Sequence, residues 1–100
     1  MMNPLNLTDA MRLYKVLKPH LPKYKEGEEA LEYFSKITKN IRNSGRHRDY
    51  VDAVSIMIGM PVKDIIQFES MEILQTFING LTENRIISLV EFAQQVGYDG

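Results

Sequence analysis

The spacing of apolar residues constrains the fold of this chain more than any other feature, because they recur every three or four positions along most of its length. This period is that of an α-helix with one buried face, whereas a half-buried strand alternates every two residues. We find no alternating run of useful length, no internal repeat and no low-complexity tract. A chain of 100 residues has the size of one domain. We therefore expect a single all-α domain over residues 1–100, a compact bundle of five to six short helices.

Proline, glycine and small polar residues predict where the first two helices begin and end. The first helix is predicted to start at Thr8, whose hydroxyl can cap the free backbone N–H groups. Pro19 and Pro22 stop it, because residues before proline are pushed out of the α region. The second helix is predicted over about residues 26–43, with Gly45 ending it in the left-handed conformation.

The boundaries of the second half are predicted in the same way. The third helix covers Arg48–Ile58, and its apolar residues leave so little polar surface that we expect it to be central and mostly buried. Gly59 is predicted to end the third helix, and Pro61 to open a short helix over 61–67. The fifth helix is predicted to be capped by Ser70 and ended by Asn79 and Gly80. The sixth is predicted to be capped by Thr82 and ended by Gly97.

Apolar side chains at helical spacing define the expected core. The predicted inward residues, in helix order, are Ala10, Leu13, Tyr14, Leu17 and Leu21; Ala30, Leu31, Tyr33, Phe34, Ile37 and Ile41; Tyr50, Val51, Val54, Met57 and Ile58; Met71, Leu74, Phe77, Ile78 and Leu81; and Ile86, Ile87, Val90, Ala93 and Val96.

The residues that are missing exclude several classes of protein. Cysteine is absent, so the chain has no disulfide framework, thiolate zinc site or thiol nucleophile. The first residues lack the basic-then-apolar order of a signal peptide. No apolar run approaches the ~20 residues needed to span a bilayer. We expect a cytoplasmic protein without a membrane segment.

Charge is divided unevenly between the two halves of the chain. Residues 1–50 hold ten Lys and Arg against six Asp and Glu, a balance of +4, and residues 51–100 hold two against seven, a balance of -5. This asymmetry favours head-to-tail association of copies or an oppositely charged partner. The alternative is that these charges only cover solvated helix faces.

We find no pattern of residues that predicts an enzyme, a metal or a cofactor. His20 and His47 lie in or beside predicted connections, and neither has a second ligand at helical spacing. His47 with Asp49 and Asp52 is a conceivable zinc site, but the simpler interpretation is a solvated loop histidine. The carboxylates of Glu28, Glu29 and Glu32 are expected on an exposed helical face. General acid–base chemistry needs a carboxyl with a shifted pKa in a pocket.

Nucleic-acid binding is the alternative function that the basic residues leave open. The candidates gather around the end of the second predicted helix and the turn after it: Lys36, Lys39, Arg42, Arg46 and Arg48, together with His47. A helix-turn-helix reader must present polar side chains on its second helix, and here that helix is almost wholly apolar. A basic patch that contacts phosphates stays open, as does a solvated basic face, and we expect nucleic acid not to be the partner.

The segment from Met60 to Met71 is dense in apolar residues at a place where connections usually turn polar. Met60, Val62, Ile66 and Phe68 are its candidate partner-binding residues, since methionine adapts to irregular surfaces and apolar patches mark interfaces. The alternative is that the short helix closes over the core as a lid. Val96 and Tyr98 form a second, weaker candidate surface.

From Asp49 onward the order of features resembles a known family. The stretch DYVDAVSIMIGMPVKDIIQFESMEILQTFINGLTEN has an apolar helix ending in Met-Ile-Gly and a short Pro-Val-Lys-Asp-Ile-Ile helix. A capped amphipathic helix and a further helix entered through Asn follow. Over residues 47 to 95 this order resembles the small tail-assembly chaperones of long-tailed phages and Gram-positive prophages.

The resemblance implies a non-enzymatic chaperone of phage tail assembly that acts in the host cytoplasm. Such a protein coats the tape-measure protein before the tail tube polymerises and recruits tube subunits, as an oligomer or through a longer frameshifted form. It needs no cofactor. The resemblance also implies that an apolar helix of the partner lies against an apolar surface of the chaperone.

Overall fold

Helix α1, Leu7–Leu17, opens the fold in the computed structural model, which describes residues 5–97. Asn6 is the N-cap residue, and its side-chain oxygen accepts a hydrogen bond from the backbone N–H of Asp9 at 2.8 Å. The prediction of Thr8 as the cap was wrong, because asparagine caps at least as well and stands two residues earlier.

The connection that follows α1 is longer than predicted. A 3-10 turn, Lys18–His20, continues from α1, and helix α2 covers Ala30–Ser44. The predicted range 26–43 began four residues too early, because Gly27 has a left-handed φ of 85° and belongs to the turn before the helix. The predicted end is confirmed, since Gly45 caps α2 with a φ of 74°.

Helix α3 has the limits that were predicted, Arg48–Ile58, and Gly59 ends it with a φ of 70°. Helix α4 covers only Val62–Ile65, shorter than the predicted range 61–67. Pro61 precedes it as the N-cap residue in an extended conformation instead of standing in its first turn.

Helix α5, Ser70–Glu83, begins with a capping box. The side chain of Glu69 accepts from the third helical residue, and Glu72 Oε1 accepts from the backbone N–H of Glu69 at 3.2 Å. Ser70 is therefore the first helical residue and not the predicted cap. The two acidic side chains complement the positive end of the helix dipole.

The predicted end of α5 at Asn79 and Gly80 was wrong. Gly80 is buried, and its neighbours on the same helix face, Phe77 and Leu81, are fully buried in the core. Their burial keeps the helix running past a glycine that costs only about 1 kcal/mol in a helix. Thr82 does not cap a new helix, because its hydroxyl donates to a carbonyl of the preceding turn.

Helix α6, Ile86–Val96, follows after a two-residue connection. Arg85 makes the turn in the left-handed conformation with a φ of 52°. Gly97 ends the helix with a φ of 68°, as predicted.

Helix α3 lies at the centre of the fold, as predicted, and packs against α1, α4 and α5. Helix α2 packs on the 3-10 turn and on α5, and α6 packs on α1 and α5. No strand occurs in residues 5–97, so the predicted all-α bundle is confirmed. The largest fully buried side chains come from every helix: Leu13, Leu17, Tyr33, Ile37, Ile41, Val54, Ile65, Phe77, Leu81, Ile86 and Val90.

Four residues of the predicted stripes lie at the surface instead. Leu31, Met71 and Val96 are 64%, 62% and 58% exposed, and Ala30 is also exposed. All four stand in the first or last turn of a helix, where the stripe runs past the edge of the neighbouring helices.

Candidate interaction surfaces

The structure divides the four predicted partner-binding residues between the core and the surface. Ile66 is 62% exposed, whereas Met60 and Phe68 are half-buried against the core. Val62 is half-buried at the start of α4. Met71, at the start of α5, is as exposed as Ile66. The outer side of the segment from Met60 to Met71 therefore presents apolar surface while its inner side closes over the core.

The segment from Met60 to Met71 is anchored to the core by a buried side chain and by hydrogen bonds. Ile65 is fully buried, and the backbone N–H of Phe68 donates to its carbonyl at 3.0 Å. The Ser55 hydroxyl donates to the Met60 carbonyl at 2.5 Å, which ties the segment to α3. The exposed Ile66 is therefore presented from an ordered backbone, an arrangement that lowers the entropy lost on binding.

All five predicted nucleic-acid residues, here called the basic region, are exposed, and Arg42 and Arg46 line different grooves. They stand on α2 and around the turn into α3: Lys36, Lys39, Arg42, Arg46 and Arg48. Three of them face carboxylates of the same chain: Lys36 faces Glu28, Arg46 Nε lies 3.4 Å from Asp49 Oδ2, and Arg48 Nε lies 3.2 Å from Asp52 Oδ1. The Lys36 ammonium, through its hydrogen bond, lowers the pKa of Glu28 below its ordinary value.

Helix α3 is poorly suited to act as a recognition helix. Four of its apolar side chains, Tyr50, Ala53, Val54 and Met57, are buried in the core. The Tyr50 hydroxyl donates to the carbonyl of Thr38 at 2.5 Å, and burial raises the pKa of Tyr50. The polar surface of α3 is small, and Arg48 and Asp52 on that surface face each other, so the helix offers few free polar side chains to base edges.

A buried polar pair joins the 3-10 turn to α3, and the sequence did not predict it. His20 is 3% exposed and Asp49 is 7% exposed. His20 Nε2 hydrogen-bonds Asp49 Oδ2 at 2.6 Å, and the Asn40 side-chain amide donates to the His20 carbonyl at 2.8 Å. The available signal was that Asp49 stands four residues before the buried Ala53, on the inward side of the helix.

This pair also removes Asp49 from the conceivable zinc site. Its carboxylate is engaged by His20, while His47 is exposed on the turn before α3. Within residues 5–97 no group of three or more histidine or carboxylate side chains is placed to hold a metal ion.

The second candidate surface is described only in part. Val96 is 58% exposed at the end of α6, and Tyr98 lies outside the described residues. None of the described helices has the length and apolar character needed to cross a bilayer.

Comparison with known protein families, with curated proteins and with solved structures finds no match for this chain.

Proposed function

We propose that this chain is a non-enzymatic interaction protein that shields an apolar helix of a partner, in the manner of a phage tail-assembly chaperone acting on the tape-measure protein and tail-tube subunits. The observation that carries the proposal is the exposure of Ile66 and Met71, each 62%, on either side of the half-buried Phe68. Large apolar side chains at this exposure favour a partner that covers them.

The physical gain comes from removing apolar surface from water, at about 25 cal/mol for each Å². Ile66 and Met71 bracket a connection that is anchored by the buried Ile65, so the contact needs little reordering of the chain. An amphipathic helix of the partner fits such a surface with its apolar face inward. Two side chains alone supply a moderate affinity, which suits a chaperone that releases its partner during assembly.

The experiment uses helical segments of a candidate tape-measure protein, titrated by calorimetry against this chain and a double variant, Ile66→Asp with Met71→Asp. We expect the variant to lose at least about tenfold in affinity, because each aspartate places a charge against apolar surface. Leu31→Asp is the matched control, since Leu31 is 64% exposed on α2, away from this segment.

An unchanged affinity of the double variant contradicts the assignment of the surface, and so does an equal loss in the control. Failure of the unmodified chain to bind any tested apolar helix contradicts the proposal as a whole.

The alternative function is nucleic-acid binding by the basic region, favoured by the exposure of all five cations. It predicts retention on DNA or RNA that falls steeply with salt and is lost in Arg42→Glu with Arg46→Glu. The matched control, Lys63→Glu with Arg85→Glu, makes the same change in net charge at exposed positions elsewhere. We expect no retention at physiological salt, because carboxylates of the chain already face three of the five cations.

A further inference from the structure

A small apolar cleft lies between the end of α2, the start of α3 and the beginning of α5. Its volume is about 220 Å³. This is below the ~300–1,000 Å³ of sites for small-molecule ligands and suits a single large side chain. The residues that form it are the buried Tyr50, the half-buried Val51, Ile73 and Leu74, and the exposed Arg42, His47 and Ser70.

The cleft combines apolar walls with positive charge at its rim. Arg42 is one of the exposed residues that line the cleft, and the charge of its guanidinium is permanent. The nearby acidic residues of α5, Glu69 and Glu72, form the capping box at the start of that helix. The cleft therefore suits an apolar side chain that has a carboxylate next to it.

Such a pair is present on the outer face of α6. Phe92 is 61% exposed, and Val96 follows it one turn later at 58%. Glu91 stands beside Phe92 and shares a shallow surface groove with Glu26. Phe92 itself lines the adjoining groove with Glu83 and Arg85, so the exposed aromatic side chain and the Glu91 carboxylate are neighbours along the helix but line different grooves.

The outer face of α6 cannot reach the cleft of its own chain. Its opposite face is buried in the core through Ile86, Val90 and Ala93, which fixes the direction in which Phe92 points. A contact between the two surfaces therefore needs two molecules.

We infer that copies of this chain associate head to tail, with Phe92 of one copy entering the cleft of the next and Glu91 facing Arg42. The contact joins two different surfaces, so it produces a ring if the rotation closes and a filament if it does not. It follows the charge division of the sequence, because Arg42 belongs to the basic half and Glu91 to the acidic half. It does not use Ile66, whereas Met71 stands next to Ser70, which lines the cleft.

The test is sedimentation velocity over a wide range of protein concentration, with the unmodified chain, Arg42→Glu and Glu91→Lys. The unmodified chain is expected to associate as concentration rises. Each variant alone places like charges at the contact, and its association is expected to weaken at least about tenfold. In an equal mixture, the glutamate at position 42 of one variant faces the lysine at position 91 of the other. At the next contact the unchanged Arg42 faces the unchanged Glu91, so association returns.

Recovery in the mixture also shows that each variant is folded, since a chain that had lost its fold has no cleft to offer. Lys63→Glu, an exposed charge reversal on α4, is the control and is expected to associate normally. A strict monomer overturns the inference, as does normal association of either variant or a mixture that stays monomeric. The single variant Ile66→Asp, made without the change at Met71, separates this contact from the proposed function if it loses binding of the partner helix while its self-association stays intact.

Discussion

Replacing Asp49 by alanine is expected to destabilise this fold more than any other loss of a carboxylate among the described residues. The change removes the Asp49 carboxylate from a 2.6 Å hydrogen bond with His20. The His20 side chain, which is buried at 3% exposure, is then left without that partner. An unsatisfied buried polar group costs about 1–3 kcal/mol, and the nearly complete burial of both side chains places the cost at the upper end of that range. We therefore expect a loss of about 3 kcal/mol in the free energy of unfolding.

A loss of that size is large for a domain of this length. Single domains are stable by only about 5–15 kcal/mol. In a 60–100-residue domain each kcal/mol shifts the melting temperature by about 4–8 °C. Asp49→Ala is therefore expected to lower the melting temperature by roughly 12–24 °C, measured by circular dichroism together with urea denaturation.

Asp52→Ala is the matched control, because Asp52 stands three residues later on α3 and its side chain is 34% exposed beside Arg48. Exposed pairs contribute about 0–1 kcal/mol. The Asp49 side chain also interacts favourably with the positive end of the α3 dipole. A double-mutant cycle with His20→Ala separates this contribution from the contact with His20. The cycle is expected to give a coupling energy above about 1 kcal/mol.

The reasoning is refuted if Asp49→Ala and Asp52→Ala cost the same. It is also refuted if the His20 and Asp49 substitutions are additive, because the stability would then not depend on their contact.

Three further predictions test local features of the fold by urea denaturation. Burial raises the pKa of Tyr33 to about 12 from an ordinary value of 10.0. Between these pH values the unfolded chain has released a proton that the folded chain keeps. The free energy of unfolding is therefore full below pH ~10 and falls by up to ~2 kcal/mol as the pH rises. Tyr33→Phe should flatten this dependence on pH. Gly45→Ala should lower the free energy of unfolding by about 1–2 kcal/mol, because alanine is strained at the left-handed φ of 74°. A loss smaller than about 0.5 kcal/mol would contradict that cause. Ile37→Ala, fully buried, should cost about 2–5 kcal/mol, whereas Leu31→Ala, 64% exposed, should stay within about 0.5 kcal/mol; equal losses would show that the core is not where the structure has it.

The candidate surfaces were predictable from sequence only as segments. The density of apolar residues from Met60 to Met71 marked the segment, but Met60 and Phe68 pack against the core while Ile66 and Met71 stay exposed. The direction of each side chain depends on which helices lie beneath it. The apolar cleft beside Arg42 was not predictable, because its walls combine the α2–α3 turn with the start of α5, which is distant in sequence.

Local rules determined the ends of the helices at several positions. Gly45, Gly59 and Gly97 each end a helix with a left-handed φ, and that conformation depends mainly on the glycine itself. Pro19 follows α1 for an equally local reason, the missing N–H of its ring; the predicted reason was wrong, because Lys18 before it stays in the α region. These signals act within about four residues, so the sequence contains them in full.

Tertiary contacts decided the features that local rules predicted wrongly or did not predict. Helix α5 continues through Gly80 because Phe77 and Leu81 are buried on either side of it, and their burial outweighs the weak helix preference of glycine. His20 is buried because Asp49, 29 residues away, offers it a hydrogen bond. Helical periodicity reports the neighbours of a residue along the chain, whereas the burial of a polar group depends on a partner that only the fold brings near.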